Sequence, residues 1–339
     1  MNAEGGEIRR NSWIDAFRGL AALMVATFHM NVVPFEGKAG TLTLAWRSLW
    51  SHGHLGVPVF FALSGYCVTS SWMRQSDWRR YSYLRIRRIF PPYWSSLLLI
   101  LTLACSRKLL FGVNDVATLP RSVLAVLATL ALDTAPASRV VTVNWVYWTL
   151  TCEVAFYAIL LVAMLSGWAK ARMLVAAHAV LCTVAALNLA PNSGPLFIVN
   201  YWPLFGVGAA LSLLSNHPKA GVLMLCMSSA GALLGHHYSP GPDYVIAAFA
   251  TTLLIWLSRH VALPKMLQPV RRLGIFSYSL YLVHVPVGVY CLMRLLPKSY
   301  PSDAAYLFQQ FLVLGGTIAA SWLFFQVAEK PFITRPKAP

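Results

Sequence analysis

The stretch "FRGLAALMVATFHM", residues 17–30, is apolar except for Arg18 and His29. It forms the middle of an apolar run at 13–34, long enough for one helix to cross the roughly 30 Å hydrocarbon core of a bilayer. An ionisable side chain at the centre of such a helix costs roughly 2.5–3.5 kcal/mol on insertion scales. From Arg18 to His29 an α-helix rises about 16.5 Å and makes close to three full turns. Both side chains therefore share one face, and that face must look into protein or a water-filled cavity rather than into lipid. Arg18 falls near one end of the span, where snorkelling to headgroups is open to it. His29 falls deeper. A pair on one face at two depths reads as a polar pathway.

The rest of the chain repeats the membrane pattern. Only 11% of its 339 residues are charged and 58% are hydrophobic, with mean hydropathy +0.60. A soluble domain carries about 25% charged residues, so an ordinary cytosolic globule is excluded. Further runs at 54–73, 90–110, 145–166, 171–190, 196–215, 219–236, 243–259, 273–295 and 305–326 approach the length of a span, whereas a transmembrane barrel would show short segments of alternating polarity. An eleventh piece, "LPRSVLAVLATLALD" at 119–133, is short for a crossing.

The net charge of +16 does not point to nucleic acid, because the basic residues gather in alternate loops instead of one patch. If 119–133 stays on one side and the N-terminus is cytoplasmic, the inner face receives Arg9, Arg10, the cluster Arg74, Arg79, Arg80, Arg85, Arg87 and Arg88, and later Lys170, Arg172, Lys219, Arg259, Lys265, Arg271, Arg272, Lys330, Arg335 and Lys337. The outer face keeps a few, including Lys38, Arg47, Arg107, Lys108, Arg139 and Lys298. That asymmetry is the positive-inside rule. The expectation is an all-α polytopic integral membrane protein of about ten transmembrane helices, both termini cytoplasmic, with one extra short apolar segment at 119–133. Residues 1–12 form a cytoplasmic tail, 13–327 the membrane domain and 328–339 a second cytoplasmic tail, with an uncleaved first span and no separate soluble domain.

Other polar anchors recur near the span ends. In "RIRRIFPPYW", residues 85–94, Arg85 and Arg88 stand at i and i+3 where prolines and aromatics are expected to start the third span. Arginine forks there suit bidentate capture of phosphate. In "NWVYWTLTCEVAFY", residues 144–157, Glu153 lies inside the fourth span, and an unpaired carboxylate at that depth implies a partner, with His29 a candidate by depth. Glycines in "GHLGVPVFFALSGYCV", residues 53–68, allow close approach of a helix or ligand. His52 and His54 lack the clustered ligands of a metal site, and His236 and His237 belong to an outer loop. "FSYSLYLVHVPV" places His284 mid-span, and "VAEKPF" puts Glu329 where it can pair with a cytoplasmic arginine. The six cysteines, Cys67, Cys105, Cys152, Cys182, Cys226 and Cys291, have no C-x-x-C spacing and read as small buried hydrophobes.

Six of these stretches, "IDAFRGLAALMVATFH", "GVPVFFALSGY", "RIRRIFPPYW", "WTLTCEVAFY", "SYSLYLVHVP" and "EKPF", stand in the order seen in the membrane-bound acyltransferase-3 family. The chain resembles that family from about residue 12 to residue 332. The family includes bacterial O-acetyltransferases of surface polysaccharides and nodulation-factor and macrolide acyltransferases. The resemblance matches the family's first-span arginine and histidine to Arg18 and His29, and its Arg-x-x-Arg-Ile-x-Pro element to Arg85, Arg88, Ile89 and Pro91. Trp148, Glu153, Phe156 and Tyr157 are kept, while Thr149 replaces the usual serine. The SGNH domain that some relatives carry is not expected after Pro339.

The resemblance implies transfer of an acyl group, acetyl above all, from cytoplasmic acyl-CoA to a hydroxyl of a carbohydrate or glycolipid acceptor. Acetyl-CoA is then a substrate, with no permanently bound cofactor, no metal and no nucleic-acid partner, and the setting is the bacterial inner membrane. Arg18, Arg85 and Arg88 are expected to bind the donor's phosphates. His29 is expected as general base or acyl carrier and Glu153 as its orienting carboxylate. Trp148, Tyr157, Ser64, Tyr66, His284 and Glu329 are the accessory candidates. A multi-span transporter or flippase of an envelope glycan precursor, or a non-catalytic assembly partner, would share the interior charges; no internal repeat favours a transporter.

Overall fold

The structure, a computed structural model, describes residues 11–32, 40–112, 116–166, 169–235, 241–297 and 300–333. Arg9, Arg10, Lys38, His236, His237, Lys298, Arg335 and Lys337 lie outside the described residues, as do most of the N-terminal tail and half of the C-terminal one. Every described element is helical and no strand occurs among them. Among the described residues, six segments are long and apolar enough to cross a membrane: Thr41–Arg74, Trp78–Phe111, Trp145–Leu165, Pro195–Leu214, Ser277–Leu295 and Asp303–Ile333.

Helix α1, Ser12–Asn31, begins where the Asn11 side chain accepts a hydrogen bond from the Trp13 amide at 3.0 Å. It is 20 residues long, but Asp15, Arg18 and His29 dilute its hydropathy. Helix α2, Thr41–Ser51, leads through a short turn into α3, Gly56–Arg74. Helix α4, Trp78–Phe111, is capped by Asp77 and runs 34 residues, about 51 Å, until Gly112 turns it off at φ +69°. The sequence suggested that Pro91 and Pro92 start the span; instead the helix extends three turns ahead of them. This displays Arg85 and Arg88 on one helical face rather than in a loop.

Residues 119–133 contain only the eight-residue α5, Val123–Leu130, about 12 Å long and far short of a bilayer core. Its end is held by Tyr93 Oη donating to the Thr129 carbonyl (2.5 Å) and Trp94 Nε1 donating to that of Leu130 (3.0 Å). There follow α6 (Trp148–Leu165), α7 (Lys170–Ala186), α8 (Trp202–Leu214), α9 (Pro218–Leu234), α10 (Pro242–Leu257), the short α11 (Gln268–Ile275), α12 (Ser277–Leu295) and α13 (Asp303–Ile333). Helices α7, α9 and α10 have 17, 17 and 16 residues, slightly under the usual span length.

Two backbone crossings set the arrangement. At α3 and α8, a Cβ on Gly65 would lie 2.0 Å from the Phe205 carbonyl oxygen, and one on Gly208 would lie 1.9 Å from that of Ala62. At α1 and α11, a Cβ on Gly274 would meet the Asp15 carbonyl oxygen at 1.7 Å. Only glycine permits these contacts, as in small-residue packing between membrane helices. Helices α12 and α13 each widen into a π-helical stretch, His284–Leu292 and Phe325–Glu329. Pro286 in the first cannot donate to the preceding turn. Such widened turns gather at functional sites, and here they place His284 and Glu329. Of the cysteines, Cys152 and Cys182 are buried, but Cys105 and Cys226 are exposed on the apolar perimeter, where a small apolar side chain is equally suited to lipid.

Candidate active site

A cavity of about 210 Å³ opens between α1, α3, α4, α6 and α12. Arg18, Arg85 and Arg88 line it together with Ser64, Glu153 and Tyr157. Three arginines thus converge from α1 and α4, although Arg18 and Arg85 stand more than sixty positions apart in the chain. The two on α4 are held differently. Arg85 Nη2 donates to Ser71 Oγ at 3.0 Å, and its guanidinium lies over the rings of Tyr81 and Tyr157 at 5.5 and 5.4 Å. Its Nε is buried without a hydrogen-bond partner. Arg88 sits in the field of Glu329 first, then of Tyr157 and Glu153.

Glu329 is 2% exposed and accepts from both the amide (3.1 Å) and the hydroxyl (2.6 Å) of Ser279. Its charge acts on Arg88 and, more weakly, on Arg18. The local pairing expected of Glu329 with an arginine is therefore electrostatic, with Ser279 as its direct partner. The arginines outnumber the two carboxylates around this cavity, which leaves it suited to an anion.

Glu153 accepts hydrogen bonds from Ser64 Oγ (3.2 Å) and Tyr157 Oη. His29, the candidate partner by depth, is not among its hydrogen-bond partners. Trp145, eight residues earlier and about 12 Å along the segment, is the residue of this segment beside His29, with ring centroids 6.1 Å apart. Glu153 belongs to the arginine end of the cavity.

His29 meets a different partner. Its Nδ1 lies 3.0 Å from His284 Nε2, and the rings are 5.0 Å apart and tilted by 34°. His284 is 1% exposed, and its Nδ1 lies 2.6 Å from the Tyr281 carbonyl oxygen. Tyr281 joins the two regions: it lines the cavity, while its ring lies 5.5 Å from that of His284 and packs edge-on against Phe60 at 6.1 Å. Its hydroxyl donates to the Val146 carbonyl at 2.6 Å and pairs with Thr149 Oγ1 at 2.7 Å. Thr149 thus keeps a hydroxyl where the family pattern has serine, and that hydroxyl anchors Tyr281.

Two accessory candidates stand apart from the cavity. Trp148 packs against Tyr201 (4.8 Å) and Phe61 (6.1 Å), and Tyr66 lies under Arg259 at 6.0 Å. His54 bonds Asp243 at 3.0 Å and so ties the entrance of α3 to α10. Residues not singled out from the sequence include Tyr278, Tyr281 and Ser279. Tyr278 lines the cavity and donates to the Ile89 carbonyl at 2.9 Å. A signal for Tyr281 was present: it stands with Ser277 and His284 at i, i+4 and i+7 along one helical stripe.

The family model described as Acyltransferase domain, that of acyltransferase-3, matches residues 11–326. The O-acetyl transferase of Shigella phage Sf6 is 23% identical over 348 residues, covering 97% of this chain and 98% of the relative. The Putative acetyltransferase ORF330 of Acidianus two-tailed virus is 35% identical over 83 residues, 24% of this chain and 22% of its own length. No solved structure gives a significant match. With six apolar segments among the described residues able to span a bilayer and a family match over nearly its whole length, the chain belongs to the acyltransferase-3 family and is an integral membrane acyltransferase.

Proposed function

We propose that the protein is an O-acetyltransferase of the bacterial inner membrane. It takes an acyl group, acetyl in the first place, from cytoplasmic acyl-CoA and esterifies a hydroxyl of a sugar-containing acceptor, such as a surface polysaccharide or its lipid-linked precursor. One observation carries this reading. Arg18, Arg85 and Arg88 surround a single cavity whose wall, Tyr281, adjoins His284 and through it His29. The full-length likeness to a phage O-acetyl transferase supports the acetyl and oxygen specificity. A layout of ten spans with both termini cytoplasmic puts the arginine end on the side where CoA is found.

CoA bears phosphates at one end and its thioester at the end of a long arm. The arginines take the phosphates, and the arm follows α1 past Phe60 and Tyr281 toward His29, about 16.5 Å deeper. His29 removes the proton of the acceptor hydroxyl as that oxygen attacks the thioester carbonyl. The carbon–sulfur bond then breaks, and His29 returns the proton to the departing CoA sulfur. Glu153, tied to Ser64 and Tyr157, balances the arginines and orders the donor side.

Purified protein in detergent, given radiolabelled acetyl-CoA and candidate glycan acceptors, should release CoA and label the acceptor. His29→Ala should abolish both while the protein stays monodisperse and folded. Wild-type turnover in that variant would overturn the assignment of His29. Solute movement in proteoliposomes without any CoA release would replace the enzyme reading with a transporter.

A further inference from the structure

We infer that His284 is a positioning residue which fixes the tautomer of His29 and leaves His29 Nε2 as the free base. This rests on the acyl-transfer reading above and adds to it a residue acting through His29. The argument follows the hydrogen bonds from their buried end. A backbone carbonyl only accepts, so the 2.6 Å contact between His284 Nδ1 and the Tyr281 oxygen requires the proton on Nδ1. In a neutral imidazole the other nitrogen then carries a lone pair and can only accept. His284 Nε2 faces His29 Nδ1 at 3.0 Å, so His29 must donate from Nδ1. His29 Nε2 is left unprotonated, the state that a general base needs.

The arrangement also fits the reaction step. When His29 takes the acceptor's proton at Nε2 it becomes an imidazolium with two donors, and its Nδ1–H still points at the His284 lone pair. A hydrogen bond from a cation is stronger than one from a neutral group, so the contact strengthens as the charge develops. The orienting role that a carboxylate plays in a Ser-His-Asp triad is filled here by a neutral ring. The local fold keeps that ring in place. His284 is 1% exposed, opens the π-helical stretch of α12 and is anchored by Tyr281, whose hydroxyl is itself tied to Val146 and Thr149.

The test combines a spectroscopic signature with a rescue series. Solid-state 15N NMR of histidine-labelled protein in bilayers, with His29 assigned by difference against His29→Gln, should show a protonated Nδ1 and an unprotonated Nε2 at neutral pH. In His284→Phe the His29 signal should change to the other tautomer or a mixture, and kcat should fall by about 10²-fold or more with the acetyl-CoA KM unchanged. His284→Gln, whose amide oxygen reaches the position of Nε2 and can accept from His29, should recover part of kcat. His284→Asn, which reaches only the position of Nδ1, should not. An Nε2-protonated His29 in the wild type, or equal kcat in the Gln and Asn variants, would overturn the positioning role. If the NMR pattern is as expected while His29→Ala retains full turnover, the acyl-transfer role of His29 fails and the tautomer assignment stands.

Discussion

Replacing Arg88 by glutamine is the sharpest test of the donor cavity. Arg85 is a poorer choice, because it also donates to Ser71 and covers Tyr81 and Tyr157, so its loss disturbs packing as well as charge. Arg88 lines the cavity and feels Glu329 and Glu153, and glutamine removes its charge while keeping a polar side chain of similar reach. At an effective dielectric of about 20, a unit charge 4 Å from an anion is worth about 4 kcal/mol before desolvation. The measured net value of a hydrogen bond to a charged group is smaller, about 1.5–3 kcal/mol. That corresponds to a loss of about 10- to 150-fold in CoA affinity. Arg18 and Arg85 remain, so binding should weaken without disappearing. Calorimetric titration of CoA into detergent-solubilised protein, with pantetheine as a phosphate-free control, reads this directly. Pantetheine affinity should be the same in wild type and variant. An unchanged CoA affinity in folded Arg88→Gln protein, or an equal loss for CoA and pantetheine, would refute the phosphate role.

Three further outcomes follow from the packing and the proposed layout. Gly208→Ala should destabilise the protein by about 1–3 kcal/mol, seen as a lower thermal midpoint in detergent, because the new methyl would stand 1.9 Å from the Ala62 carbonyl oxygen and only a shift of α3 against α8 can relieve it. Tyr281→Phe strips the Val146 carbonyl and Thr149 of a buried partner and should cost about 1–3 kcal/mol, whereas Thr149→Ser keeps the hydroxyl bonded to Tyr281 and should be close to neutral in the same melt. Single cysteines placed in 134–144 should react with impermeant reagents from outside the cell; reaction only from the cytoplasm would overturn the ten-span layout.

Much of the helical pattern was legible in the chain. A helix stands within each of the ten apolar runs, because hydrocarbon tests each segment by its own transfer free energy and backbone hydrogen bonding. The arginine cluster was legible for the same reason, since Arg85 and Arg88 are i and i+3 on one helix. Pro91 and Pro92 misled about where α4 starts. A helix-breaking rule applies to an isolated helix, while neighbouring elements can satisfy the carbonyls that proline leaves free. Glu153 is no neighbour of His29, because it lies eight residues, about 12 Å of helix, beyond Trp145, the residue of its segment that reaches His29.

By itself, then, the sequence determined which segments are apolar enough for membrane helices, the one-face spacing of Arg18 and His29, and the six ordered motifs that mark the family. Tertiary structure alone decided which polar group meets which. His29 finds His284, 255 positions away, Glu153 turns to Ser64 and Tyr157, and Glu329 closes on Ser279 behind the arginines. Such pairings depend on the rotation and vertical offset of one helix against another. Those are set by the glycine crossings at Gly65, Gly208 and Gly274 and by the π-helical turns at His284 and Glu329. Hydropathy reports how deep a residue can lie, but only packing fixes which neighbour it faces at that depth.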